Sequence, residues 1–204
     1  MRNQTDFKEI YQEFQPKIRH YLSRMLGDQA AEDIAQEVLA KVSCGLDSFK
    51  GISSFSTWIY RIATNTALDN LRSPSFKRSS EHSTLEDCTG TEDRNAWTGQ
   101  AEPTVDQEVI RKEMSECVRE FVDRLPPDYR TVLILSELEG FKNREIADIL
   151  EISLDNVKVR LHRARDRLKK ELDSGCSFYQ SEQGTLACDR KPVGIIPNLN
   201  DGKS

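Results

Sequence analysis

A cluster of basic side chains near the carboxyl end is the part of this sequence with the clearest chemistry. Between Leu154 and Lys170 there are seven Lys or Arg residues and two acidic residues, a local charge of +5 in a 204-residue chain whose formal net charge is −5. Lysine and arginine bind phosphate groups, and arginine also reads the edges of guanine bases. The cluster therefore predicts a local surface for nucleic acid on an otherwise acidic chain.

Two short helices with a tight turn between them are predicted to position this cluster. The apolar pattern of Glu145–Leu150 indicates the first helix, and Glu151-Ile152 makes the break. Ser153 can cap the second helix by accepting hydrogen bonds from its first amides. An apolar stripe then recurs every three or four residues, at Val157, Leu161, Ala164, Leu168 and Leu172. The pattern predicts a helix-turn-helix whose second helix enters the major groove of DNA; the alternative is a solvated charged helix in a bundle.

Composition limits the remaining function classes. Hydrophobic residues make up 37% and charged residues 31% of the chain, which is typical of small helical modules. No apolar run is long enough to span a bilayer, and Met1–Ile10 contains no apolar signal segment, so we expect a cytoplasmic protein without membrane insertion. The histidines lie in unrelated settings, and the sequence has no Gly-rich phosphate loop or HExxH motif. We therefore predict no catalytic residues and no enzymatic activity.

Helical periodicity and an acidic segment divide the chain. The predicted parts are a helical bundle over 1–75, a linker over 76–107, a second bundle over 108–173 and a C-terminal extension over 174–204. From Ser75 to Val105, six acidic and three basic residues accompany many Ser and Thr residues, which predicts a linker that is disordered when free. The predicted fold class is all-α: two small helical bundles, a flexible acidic linker and a short C-terminal tail with little to pack.

Four segments, in this order, resemble the sigma-70 family of RNA polymerase sigma factors, in particular its extracytoplasmic-function (ECF) group. They are DIAQE (Asp33–Glu37), FSTWIYRIATNTALDNLR (Phe55–Arg72), LPPDYRTVLILSELEGF (Leu125–Phe141) and the helix-turn-helix. The resemblance implies that the two bundles are sigma regions 2 and 4. It also implies a transcription initiation factor whose partners are core RNA polymerase and promoter DNA, duplex at the −35 element and melted at the −10 element. An anti-sigma factor is a further implied partner. The resemblance also implies that the protein acts in a stress or metal response.

The DIAQE segment has a physical meaning of its own. On a helix, Asp33, Gln36 and Glu37 are three and four residues apart and share one acidic-amide face. The resemblance implies that this face binds the clamp coiled coil of core polymerase. The alternative is an acidic patch that only faces solvent.

Aromatic and hydrogen-bonding side chains occur together in Phe55–Arg72 and just before it. Such a set could hold an unstacked base. The resemblance implies that the −10 element is contacted by Phe49, Lys50, Arg61, Asn65 and Arg72. Of these, Phe49 and Asn65 correspond to the pocket for the extruded base. Trp58 is flanked by apolar residues and is predicted to be structural.

The second helix of the helix-turn-helix supplies the residues that we assign to the −35 element. They are Lys158, Val159, Arg160, His162, Arg163 and Arg165. The helical wheel and the resemblance agree on Val159, His162 and Arg163, whereas Lys158 lies at the edge of that face and is expected to contact phosphate. Glu151 stands where turns of the family often have glycine, which predicts a more costly turn.

Five cysteines, an odd number with no CxxC pair, argue against a secreted disulfide framework. Cys176 and Cys188 lie in the tail, and some members of the ECF group carry cysteine-containing extensions that sense metal or redox state. Two cysteines without a nearby histidine fall short of a tetrahedral zinc site, so no cofactor is expected, although copper(I) or a disulfide stays open. The other three, Cys44, Cys88 and Cys117, are predicted to be core or linker residues.

Two other functions stand beside an initiation factor. One is a helix-turn-helix regulator that binds duplex DNA without polymerase, which would have no need for Asp33–Glu37 or Phe55–Arg72. The other is a metal or redox sensor with Cys176 and Cys188 as its input, which is compatible with an initiation factor.

Overall fold

A computed structural model of the chain describes residues 7–73, 117–180 and 186–191. The predicted linker over 76–107 lies outside these residues, as does Cys88. The described residues fall into two compact units, the first made of 7–73 and 125–165, the second of 117–124, 166–180 and 186–191. The first unit therefore contains residues of both predicted bundles.

The first unit begins with α1 (Phe7–Leu26), α2 (Asp28–Gly45) and α3 (Phe55–Arg72). A 3-10 turn, Leu46–Ser48, follows α2. α3 begins where the Ser54 hydroxyl accepts a hydrogen bond from the Thr57 amide at 3.0 Å. This cap satisfies one of the amides that have no partner at the start of a helix.

The apolar stripes of α1, α2 and α3 form a common core. Its fully buried side chains include Ile18, Leu22, Val38, Val42, Ile59 and Ala63. Burying an aliphatic side chain of the size of valine or leucine stabilises the fold by about 1.5–3 kcal/mol. The buried hydroxyl of Tyr21 lies 2.8 Å from Thr64 Oγ1, so this polar group keeps a hydrogen bond inside the core.

The first unit continues with α4 (Pro127–Leu133), a π-helical turn (Ile134–Leu138), α5 (Asn143–Leu150) and α6 (Leu154–Gly175). In α6 the predicted stripe is confirmed: Val157, Leu161 and Ala164 are buried in the first unit. Leu168 and Leu172, at the end that belongs to the second unit, are half-buried. The helix ends at Gly175, as the loss of the pattern after Leu172 predicted.

The second unit contains the helical residues 117–123, the end of α6 and an antiparallel hairpin of β1 (Cys176–Gln180) and β2 (Leu186–Arg190). Cys176 and Ala187 are buried, so the expectation that the tail has little to pack is wrong. The all-α fold class is confirmed, with this hairpin as the one sheet of the described residues. No helix in the described part of the chain has the length and apolarity needed to cross a membrane.

Candidate nucleic-acid interface

Local interactions build the turn of the helix-turn-helix. α5 begins where Glu145 accepts a hydrogen bond from the Lys142 amide at 2.9 Å. α6 begins where the Ser153 hydroxyl accepts one from the Asn156 amide at 3.2 Å. Between the helices, Glu151 has φ 53° and ψ 40°, the left-handed conformation that glycine adopts more easily. The predicted Ser153 cap is confirmed, and Glu151 adopts the backbone conformation that made glycine the expected residue of this turn.

α6 turns its predicted DNA-reading face to solvent. Val159, His162 and Arg163 are exposed, opposite the buried stripe. Val159 keeps 46% of its surface accessible, so an apolar group lies between two polar ones on this face. Arg163 has no ion pair with any residue that the structure describes. Its guanidinium is therefore available for a base edge or a phosphate.

The other three residues assigned to the −35 element have acidic partners. The ion pairs are Lys158–Asp155 at 3.2 Å, Arg160–Asp128 at 3.4 Å and Arg165–Glu137 at 3.2 Å from Nε. Lys158 and Arg165 are exposed and Arg160 is half-buried. Because exposed ion pairs contribute about 0–1 kcal/mol, a DNA phosphate can replace these carboxylates at low cost.

Asp33, Gln36 and Glu37 form an exposed surface on α2, here called the α2 face. The opposite side of the helix, with Ala35 and Val38, is buried. Glu37 pairs with Lys41 one turn further on, at 2.7 Å. The prediction that the three residues share one face is confirmed, and their contact with polymerase stays a prediction.

Phe49 lies in an aromatic cluster just before α3. Its ring centroid is 5.3 Å from that of Phe55 and 5.1 Å from that of Trp58. A Cβ at Gly45 would lie 2.9 Å from Cζ2 of Trp58, so glycine is required for this close approach. Trp58 is therefore structural, as predicted. Phe49 is half-buried, with its ring packed on the protein.

Arg61, Asn65 and Arg72 lie on one side of α3, here called the α3 face, because they are four and seven residues apart. Asn65 and Arg72 are exposed, as is Lys50. Arg61 differs, because its Nε donates a hydrogen bond to the carbonyl oxygen of Asp148 at 2.8 Å. Its guanidinium also lies 3.7 Å from the Glu151 carboxylate. α5 and the turn after it therefore cover one end of the predicted −10 surface.

A buried carboxylate holds the end of the π-helical turn against α1 and α3. Glu139 accepts a hydrogen bond from the Tyr60 hydroxyl at 2.7 Å, and its other oxygen lies 3.8 Å from the Arg24 guanidinium. The side chains of Arg24 and Glu139 are only 8% and 10% exposed. Burial, followed by the negative charge of Glu139, raises the pKa of Tyr60 above its ordinary value, so its hydroxyl stays protonated and donates. Sequence reasoning missed this contact, because Tyr60 and Glu139 are 79 residues apart.

Three cysteines, here called the thiol cluster, come together in the second unit. The sulfur atoms of Cys117, Cys176 and Cys188 all lie within 4.8 Å of one another. Burial, followed by the hydrogen bond with Cys117, raises the pKa of Cys176 to about 11, and burial also raises the pKa of Cys188. The prediction that Cys117 is a core residue is confirmed. Cys44 is exposed on α2, so its prediction as a core or linker residue is wrong.

Two family models match the chain. The model described as Sigma-70 region 2 matches residues 10–76, which contain α1 to α3. The model described as Sigma-70, region 4 matches residues 115–168, which contain the helix-turn-helix. The matched segments thus include the α2 face, the α3 face and the exposed face of α6.

Curated relatives and a solved structure agree with these matches. The chain is 35% identical over 173 residues to the ECF RNA polymerase sigma factor SigW of Bacillus subtilis, covering 83% of this chain and 90% of SigW. It is 34% identical over 167 residues to the RNA polymerase sigma-H factor of Pseudomonas aeruginosa, covering 81% of this chain and 86% of the sigma-H factor. Its fold is similar to that of the sigma factor RpoE of Bartonella quintana, which was solved in complex with the anti-sigma factor NepR. The TM-score is 0.59 and the identity 22%, and the match covers 82% of this chain and 97% of RpoE. The chain belongs to the ECF group of the sigma-70 family of RNA polymerase sigma factors.

Proposed function

We propose that this sigma factor binds core RNA polymerase through the α2 face and directs it to promoters that α3 and α6 recognise. The observation that carries this proposal is that one unit holds both an exposed acidic-amide face and a helix-turn-helix with its reading face in solvent. A regulator that acts without polymerase needs only the second of these surfaces. No enzymatic step is part of the proposal, since capture of unpaired bases can shift the duplex equilibrium by itself.

At the −35 element, Val159, His162 and Arg163 read base edges in the major groove. The exposed Val159 side chain fits a thymine methyl group, and Arg163 fits the two acceptors of guanine. Around this face, Lys158, Arg160 and Arg165 would exchange their carboxylate partners for phosphates. Phosphate contacts fix the orientation of the helix, whereas the three central residues supply the sequence preference.

At the −10 element, the exposed Asn65 amide hydrogen-bonds the edge of an extruded base, and Lys50 and Arg72 contact the backbone of the melted strand. Phe49 closes one side of the base pocket from within its aromatic cluster. Arg61 can join this surface only after it leaves Asp148 and Glu151, so the contact between α3 and α5 has to open when promoter DNA is bound.

The partners of the proposed function are core RNA polymerase and promoter DNA, and they place the protein in the cytoplasm. An anti-sigma factor is a further proposed partner, supported by the similarity in fold to a sigma factor solved with one. We also propose that the factor serves a stress or metal response.

The experiment is run-off transcription with purified core polymerase on sheared genomic DNA, followed by sequencing of the transcript ends. The chain should produce transcripts with a shared pair of upstream elements. The double variant Asp33→Lys/Gln36→Ala should produce none of them, while Glu13→Lys, a charge reversal on an exposed face of α1, should behave like the original chain. Transcripts that do not depend on the added chain, or a double variant with full activity, would contradict the proposal.

A further inference from the structure

The thiol cluster draws its members from three elements of the second unit. Cys117 lies in the helical segment 117–123, Cys176 directly follows α6, and Cys188 lies on β2. The sulfur atoms of Cys117 and Cys176, which are 59 residues apart in sequence, are separated by 3.6 Å. Chain folding, and not local sequence, therefore brings these donors together.

The register of the hairpin explains why two of the sulfur atoms face the same side. Cys176 pairs with Arg190. The next pair on the same face, Phe178 with Cys188, lies two residues further along each strand. Because side chains alternate between the faces of a strand, Cys176, Cys188 and Arg190 share one face. The hairpin thus presents two thiols and one guanidinium to the helix that carries Cys117.

The surroundings of the cluster are apolar and closely packed. Phe121, Leu168 and Leu172 pack against the three cysteines. A Cβ at Gly175 would lie 2.6 Å from Cζ of Phe121, so the end of α6 closely approaches the helix that carries Cys117. Cys117 and Cys176 are 7% and 2% exposed. The cluster is therefore part of a packed core and not three loose tail residues.

We propose that Cys117, Cys176 and Cys188 bind one soft d10 metal ion, Zn²⁺ or Cu(I), as thiolates. A metal–sulfur bond of about 2.3 Å gives sulfur–sulfur separations of about 4 Å in tetrahedral or trigonal geometry. The separations in the cluster, from 3.6 Å to at most 4.8 Å, already bracket this value. Thiolate sulfur is the donor that selects these two ions. The cluster therefore needs only small side-chain movements to close on a metal.

A cation lies on the same hairpin face as Cys176 and Cys188. It is the Arg190 guanidinium, 2.6 Å from the Glu120 carboxylate. A cation beside a thiolate offsets part of the negative charge that three sulfur ligands bring to the site. Three donors suit trigonal Cu(I), and they also suit tetrahedral Zn²⁺ with a water as the fourth ligand.

The test uses the full chain, reduced with a phosphine and handled without oxygen. Co²⁺ serves as the optical probe for the zinc geometry, and Cu(I) is supplied from a competing chelator. We expect one ion per chain and a sulfur-to-cobalt charge-transfer band. Each of Cys117→Ser, Cys176→Ser and Cys188→Ser should lower the affinity at least tenfold, whereas Cys44→Ser, the exposed cysteine of α2, should bind as the original chain does. Comparison of the Zn²⁺ and Cu(I) affinities with intracellular buffers identifies the ion that the site holds.

A second measurement covers the case in which a serine variant does not fold. Alkylation of the unaltered chain, read by mass spectrometry, should be slower with metal than without it at Cys188, the half-buried member of the cluster, and unchanged at the exposed Cys44. The proposal is overturned if the chain binds neither Co²⁺ nor Cu(I), if the three variants keep full affinity, or if only oxidation to a disulfide shields the thiols. None of these readouts involves promoter DNA or polymerase, so failure here leaves the proposed function untouched.

Discussion

The α2 face and the α3 face are both predicted to bind the transcription machinery, yet the structure leaves them in different states. All three residues of the α2 face are exposed, and their one ion pair, Glu37–Lys41, lies within α2 itself. On the α3 face, Arg61 is held by the Asp148 carbonyl and the Glu151 carboxylate. One surface is ready for a partner, whereas the other is partly covered by the helix-turn-helix of the same chain.

The difference indicates an order of events. Among the described residues, the α2 face has only the exposed Glu37–Lys41 pair to exchange, so polymerase can bind first. A partner of the α3 face has to compete with α5, and a ligand shifts such an equilibrium only by its differential affinity for the open form. We therefore expect promoter strands to bind well only when polymerase has already separated α3 from α5.

The largest expected effect is on the free energy of unfolding. It concerns the buried Glu139 carboxylate, which holds the end of the π-helical turn against α1 and α3. Glu139→Gln removes the charge that faces Arg24 in a nearly water-free site. Loss of one partner of a buried ion pair costs about 3–5 kcal/mol, which urea unfolding followed by circular dichroism will measure. Glu137→Gln is the matched control: it breaks only the exposed pair with Arg165 and should cost about 0–1 kcal/mol. Equal losses in the two variants would mean that the Glu139 contact does not hold α3 in solution.

The second effect is on the affinity for core polymerase and concerns the exposed α2 face. Asp33→Lys/Gln36→Ala should weaken binding to core polymerase by about 2–5 kcal/mol, the usual cost of losing hydrogen-bonded charge pairs at an interface. Biolayer interferometry with immobilised polymerase measures this change, and Glu13→Lys supplies the control for a general charge effect. Undiminished binding would make the α2 face a plain solvent-exposed surface.

A smaller effect is expected on the exposed face of α6. Arg163→Ala should cost about 1–3 kcal/mol on promoter DNA carrying the cognate −35 element, because a bidentate contact to guanine is lost. Lys169→Ala removes an exposed positive charge further along the same helix and should weaken cognate and scrambled DNA alike. A loss for Arg163→Ala that is equally large on scrambled DNA would reduce Arg163 to a phosphate contact.

The smallest effect falls on Asn65, whose amide is exposed on the α3 face. Asn65→Ala should cost about 0.5–1.5 kcal/mol, the net contribution of one hydrogen bond, in forming the open promoter complex. Permanganate footprinting should show this loss on duplex promoter and a smaller loss on a template that is already melted. The same loss on both templates would argue against a role in strand opening.

Local patterns predicted much of this molecule, because they depend on neighbours in sequence. The Ser153 cap, the break at Glu151 and the buried stripe of α6 follow from residues within a few turns of one another. The common exposed face of Asp33, Gln36 and Glu37 follows from helical spacing alone.

Long-range contacts were not predictable in this way. The Tyr60–Glu139 hydrogen bond joins residues 79 apart, and Cys117 meets Cys176 across 59 residues. Neither leaves a periodic trace, so the sequence predicts Cys117 only as a core or linker residue and its two partners only as tail residues. The hairpin was missed for a related reason: its strands are five residues each and pack on elements far away in sequence.

The most direct test of the account compares promoter binding by the free chain and by the chain on polymerase. A labelled fork-junction DNA, taken from a promoter found by run-off transcription, is titrated with the chain alone, with core polymerase alone and with both, and binding is read by fluorescence anisotropy. The account predicts tight binding only when both are present, with loss of the effect in Asp33→Lys/Gln36→Ala. Equally tight binding by the chain alone would contradict it, and would identify a regulator that needs no polymerase.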